Sequence, residues 1–202
     1  MTDTPLFADP LFGLRFWRVI TDEQGEWLSA PHQNTPWPPG GQWLRAKCSI
    51  GHDAPAAGCD CGVHAWHPCR RSAREALAVR GAVAGIVEAQ GAIEVHENGF
   101  RAAKARPYAL VATPGCNTAL VHRLAERYGT PVIELAGPRA LATWCRERGL
   151  GMEEDVVADL LGIGDPAERR RARFHNHVRD AARITAALGV AAGLVMLALH
   201  VA

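Results

Sequence analysis

The sequence predicts an α+β protein: a small antiparallel β-domain with a Cys/His metal loop, then an αβα extension and a C-terminal apolar helix. Three observations predict it. Strand-like segments run between residues 14 and 112, and the dipeptide Asn98-Gly99 among them is a strong hairpin signal, because both central residues of a type I′ turn need positive φ. Cys48, His52, Cys59, Cys61, His64, His67 and Cys69 crowd into one irregular stretch. Finally, residues 184–202 carry no charged side chain.

Taken in order, residues 1–10 read as a polar, Pro-containing tail, and residues 11–112 as the metal-pinned β-rich domain. Leu14 to Ile20 is aromatic and β-branched in part, as a strand requires, and Glu26-Trp27-Leu28 returns after the turn Asp22-Glu23-Gln24-Gly25. Residues 30–42 hold Pro31, Pro36, Pro38, Pro39, Gly40 and Gly41, so no helix survives there. Trp37 and Trp43 sit at the end of this loop, either anchoring it or walling a ligand site, with the anchor favoured. Residues 48–69 are irregular, and Arg70 to Arg80 can form a helix. Strands are expected at 82–87 and 92–96, with a return from Phe100 to Arg106. Pro107 is expected to break that return before a further strand at 108–112.

Residues 113–164 form the αβα extension. Asn117 can cap a helix ending at Gly129, Pro131 to Leu135 is a strand, and Pro138 can open a helix that stops at Gly149. A short helix covers about 153–161. Whether this extension joins the first sheet is left open by the pattern. Residues 165–183 are a basic linker.

A length of 202 residues suits one core. Hydrophobic content of 48% and charged content of 21% are ordinary for a globular chain. A net charge of +1 supplies no global field for nucleic acid. The opening Met1-Thr2-Asp3-Thr4-Pro5 lacks the basic and apolar regions of a secretory signal, so a reducing compartment is expected, with cysteines as thiols or metal ligands. Cys116 and Cys145 stand alone and read as small core residues.

Zinc takes four ligands, and thiolate with imidazole is its usual structural mix. The preferred set is Cys48, His52, Cys59 and Cys61, with His64, His67 and Cys69 in reserve. The spacing is not a pair of C-x2-C knuckles. Four protein ligands imply a closed structural zinc site, whose binding energy, on the order of 10 kcal/mol or more, is folding energy. An open, catalytic arrangement would use three of them with a water. The dipeptide His96-Glu97 invites an acid/base reading, but adjacent strand residues point to opposite faces. On the return strand Lys104 and Arg106 share one face and Arg101 takes the other, which reads as solvated.

Three segments carry a resemblance: Leu11 to Val19, Cys48-x3-His52 with Cys59-Asp-Cys61-Gly-Val, and His96-Glu-Asn-Gly-Phe-Arg101-Ala. Together they resemble a group of small bacterial proteins with no assigned activity, over roughly residues 11–112. The resemblance implies that the three segments belong to one domain. It implies no function. That group's pattern has an aromatic where His64 stands, which keeps His64 in reserve.

As a helix, residues 184–202 would span about 28 Å, close to the roughly 30 Å of a bilayer's hydrocarbon core. Arg169, Arg170, Arg171, Arg173, Arg179 and Arg183 precede them and mark the cytoplasmic side. The expectation is a single-pass C-terminal anchor holding the domain at the cytoplasmic face of a membrane. Gly189 and Gly193 make a small-xxx-small step that could pair two such helices in a homodimer. The leading functional expectation is a membrane-tethered zinc-binding module that binds a partner or ligand. The alternatives are a metal-dependent hydrolase using the cluster with His96 and Glu97, and a nucleic-acid-binding zinc module using Arg70, Arg71 and Arg74. A balanced charge argues against the last.

Overall fold

The computed structural model describes residues 9–31 and 36–163, and its compact unit ends at Leu161. It is mixed α+β, with a mostly antiparallel sheet and, among the described residues, four helices. In chain order the elements are β1 Leu11–Asp22, β2 Gly25–Ser29, β3 Leu44–Arg45, β4 Val63–Trp66 and α1 Arg70–Ala78. There follow β5 Ala82–His96, β6 Gly99–Ala112, α2 Thr118–Tyr128, β7 Val132–Glu134, α3 Pro138–Glu147 and α4 Glu154–Leu160.

The sheet curls onto itself. β1 pairs with β5, β5 with β6, β6 with β4, and β4 returns to β1 through Leu14 and Trp66. Alternation then sends every second side chain into the ring. Leu11, Trp17, Val63, Ala65, Ile93, Val95, Phe100 and Ala102 belong to one buried cluster. The opposite face of β1, β5 and β6 supplies Leu14, Ile86 and Val111 to a second cluster, closed by Ala73 of α1 and by Leu141 and Cys145 of α3. α2 covers the first cluster with Val121, Leu124, Ala125 and Tyr128. The sheet therefore lies between α2 on one side and α1 with α3 on the other.

β7 pairs in parallel with β6, so the question left open by the sequence is settled: residues 132–134 extend the same sheet. The caps of α2 are those the sequence announced. Asn117 accepts from the Leu120 amide at 3.1 Å, and Gly129 ends the helix in the left-handed region.

Several expectations are corrected. Residues 82–96 are one strand, whose register shift between Gln90 and Ile93 is taken up by Gly91 at φ +86°. Pro107 does not interrupt β6. It faces Val87 at a second register shift, where Tyr108 is the extra residue, and such an irregularity is where a sheet accepts proline. Gly99 is not a turn residue with positive φ: His96 pairs with Gly99, and Glu97-Asn98 form the turn. Glycine is required there by close approach, since a Cβ would meet the Ala65 carbonyl at 2.1 Å. The strand β4 falls in the stretch 48–69 read as irregular, and β3 falls where no element was expected.

Both loop tryptophans anchor. Trp37 is buried and meets Trp17 edge to face at 5.3 Å. Lys104 Nζ and the Arg106 guanidinium lie 4.8 and 4.7 Å from the Trp43 ring centroid. The expected linker 165–183 and apolar helix 184–202, with Gly189 and Gly193, lie outside the described residues. Among the described residues no helix is long and apolar enough to cross a membrane.

Candidate metal centre

The loop between β3 and β4 lies on the outer face of the curled sheet. Turns at Gly51 and Gly58, with φ +87° and +76°, fold it back on itself, and the Gly51 amide donates to the Cys48 carbonyl at 3.2 Å. The result brings Cys48, His52, Cys59 and Cys61 together, with one donor atom from each lying within 4.8 Å of all the others. Cys48 Sγ is 3.3 Å from His52 Nε2 and 3.7 Å from Cys59 Sγ. Cys61 Sγ is 3.8 Å from His52 Nδ1. Three thiols and one imidazole at this spacing could hold a metal ion such as zinc.

The imidazole has a defined orientation. His52 Nδ1 is 3.1 Å from the Asp53 carbonyl, which can only accept, so Nδ1 carries the hydrogen and the Nε2 lone pair is left for a metal. The thiols differ in acidity. The Ile50 backbone amide holds Cys48 below its usual range, whereas burial pushes Cys61 up. All four side chains are half-buried.

The reserve residues are elsewhere. His64 is exposed, and its Nε2 meets the Asp60 carbonyl at 2.9 Å. His67 is buried against Phe100, with Nε2 at 2.9 Å from the His96 carbonyl, and desolvation lowers its pKa. Cys69 caps α1, its sulfur accepting from the Ser72 amide at 3.4 Å while Ser72 Oγ accepts from the Cys69 amide at 3.0 Å. Cys145 is a core residue, as expected, and burial pushes its thiol up to about 11.

The hairpin joins the centre through residues that sequence reasoning assigned otherwise. Arg101 reads as solvated but is only 5% exposed. Its neighbours Phe100 and Ala102 belong to the buried cluster, so alternation turns Arg101 to the outer face, where the 48–61 loop covers it. Its NH1 donates to the carbonyls of Cys59 and Cys61, the latter at 3.2 Å. NH2 donates to Glu94 Oε2 at 2.6 Å, and Nε donates to His96 Nε2 at 3.1 Å. Since Nε–H can only donate, His96 Nε2 accepts, and the 3.6 Å approach of Glu94 Oε1 to that nitrogen is a contact rather than an ion pair. Gly62, at φ +126°, lets the chain leave the loop past Arg101, whose Cβ would be 2.9 Å from a Cβ there.

The acid beside His96 is therefore Glu94, two residues back on the same strand face, and not Glu97, which is exposed in the turn. Counting outward from the hairpin pair His96–Gly99 would have found it, since Glu94 stands directly opposite Arg101.

Comparison with protein families, curated proteins and solved structures finds no match to this chain, so the site is read from its own geometry.

Proposed function

We propose that this chain is a zinc-binding module whose metal pins the 48–61 loop to the outer face of the sheet, and which acts by binding a partner or ligand. The observation that carries this reading is the convergence of the four donors within 4.8 Å. Thiolate-rich, tetrahedral sets favour zinc, and four protein donors complete its coordination shell. A hydrolase would need an open position and a base facing it. His96 instead turns its Nε2 lone pair to Arg101, and Glu97 sits in the exposed turn. The nucleic-acid reading has Arg70, Arg71 and Arg74 exposed on α1 in its favour, but the chain's net charge of +1 opposes it.

The module is tethered, on this proposal, to the cytoplasmic face of a membrane by residues 184–202. Their lack of charge and the arginines before them support the tether. The three-segment resemblance fits a single module, since the hairpin motif contacts the Cys59 and Cys61 backbone.

Elemental mass spectrometry on the full chain, purified without chelator, tests the metal. Near-stoichiometric zinc, lost on Cys59→Ala and on Cys61→Ala, is expected. A folded, metal-free protein with all its thiols titratable would overturn it. Flotation with liposomes tests the tether: the full chain should float and a chain ending at residue 183 should not.

A further inference from the structure

We propose that Arg101 is a positioning residue of the metal centre: it presets the Cys59–Cys61 thiolate pair for the ion and thereby sets the site's affinity. This rests on the zinc reading above and deepens it.

Cys59 and Cys61 are separated by one residue, and one guanidinium nitrogen, NH1, receives the carbonyls of both, so it fixes these two peptide groups relative to each other. The sulfurs of both residues stand with the Cys48 and His52 donors, all within 4.8 Å of one another. The fork is itself immobilised. Nε is held by His96 and NH2 by Glu94, at 3.1 and 2.6 Å, so every nitrogen of the guanidinium has a partner. Arg101 and Glu94 are opposed across β5 and β6, elements whose inner faces are core. The rigidity of the sheet is thus passed to a loop that contributes none of its four donor side chains to either hydrophobic cluster. None of these bonds uses a metal-donor atom, so they stand beside coordination and do not compete with it. A site preorganised in this way loses less conformational entropy on binding.

Charge alone would give a different dependence. Lysine keeps the positive charge but not the planar fork that reaches two carbonyls, an imidazole and a carboxylate together. Glu94→Gln keeps the shape of the anchor and removes its charge.

The test is zinc affinity of the full chain by competition with a chromophoric chelator, run beside the cobalt(II) absorption spectrum. Wild type is compared with Arg101→Lys, Glu94→Gln and Glu97→Gln, and near-ultraviolet circular dichroism reports the packed tryptophans of each. Arg101→Lys should weaken zinc about 10- to 100-fold, the usual range for residues that hold a metal's ligands. It should also weaken the cobalt–thiolate charge-transfer band with the tryptophan signal retained. Glu94→Gln should lose affinity in the same direction and Glu97→Gln should match wild type. Zinc affinity of Arg101→Lys and Glu94→Gln within about twofold of wild type would overturn the proposal while leaving the zinc reading intact. A wild-type chain that binds neither ion would overturn the zinc reading itself. Should Arg101→Lys lose its tryptophan signal, Glu94→Gln decides.

Discussion

Removing one oxygen from Tyr128 should cost a large share of the fold's stability. The Tyr128 hydroxyl accepts from the Leu28 amide at 2.9 Å and donates to the Trp37 carbonyl at 3.1 Å. All three residues are buried, and desolvation raises the phenol's pKa. One group thus ties α2 to β2 and to the Pro-rich loop. Tyr128→Phe keeps the ring and its packing but leaves a buried N–H and a buried C=O without this partner. An orphaned buried donor or acceptor costs about 1–3 kcal/mol, so the pair should cost about 2–6 kcal/mol, against a total of about 5–15 kcal/mol for a typical domain. Urea unfolding at neutral pH and constant zinc, followed by tryptophan fluorescence, reads this directly. With a slope of about 2 kcal/mol/M the midpoint should fall by about 1–3 M at unchanged slope. A loss below about 0.5 kcal/mol would refute the reasoning, because it would mean that water replaces both bonds and that the site is not sealed.

Gly13→Ala should destabilise by about 1–3 kcal/mol through overpacking, since its Cβ would lie 2.7 Å from Ala65 Cβ and 2.8 Å from Phe100 Cε1 inside the curled sheet. Phe100→Leu added to it should recover part of that loss, and simple additivity of the two would count against the contact. The buried Cys145 thiol should make the protein alkali-sensitive. Its pKa is raised from 9.0 to about 11, so its contribution is intact below pH 9 and is lost as pH rises through 11, on the order of 3 kcal/mol in all. Tyr128 shifts in the same sense, so the quantity to measure is the difference in slope between wild type and Cys145→Ala under reductant. Equal slopes would remove Cys145 as the cause. Chelation should release the Cys48–His52 end of the loop, which Arg101 does not hold, while the tryptophan core persists, because none of the four donors belongs to the hydrophobic clusters. Lys47, beside Cys48, should then become a fast tryptic site, and an unchanged cleavage rate would argue that the loop is held without metal.

Local chemistry was the most legible part. Helix signals act within a few residues, so Asn117, Gly129 and Pro138 marked α2 and α3 without help from the rest of the chain. The four converging donors were legible too, because four thiol and imidazole side chains within a short stretch are close enough in the chain for two turns to bring them together. The two-residue and four-residue strands β3 and β4 were not. Too short to show a period, they exist because β6 offers them a partner. Pro107 and Gly91 likewise signal a break only if the chain is read alone. In the sheet both are absorbed as register shifts.

Alternation along β6 places Arg101 on the face opposite Lys104 and Arg106, and the sequence determined that much. Whether that face meets water depends on a distant loop, near Cys59 and Cys61, folding over it, which no local pattern encodes. The sequence by itself determined which residues could bind a metal and which segments could be helix or strand, because those depend on side-chain type and short-range spacing. Only the tertiary structure decided that Arg101 is a buried brace, that Glu94 rather than Glu97 accompanies His96, and that β7 completes the first sheet. Each depends on hydrogen bonds between segments distant in the chain, which form once loop-closure entropy has been overcome by burial of the shared core.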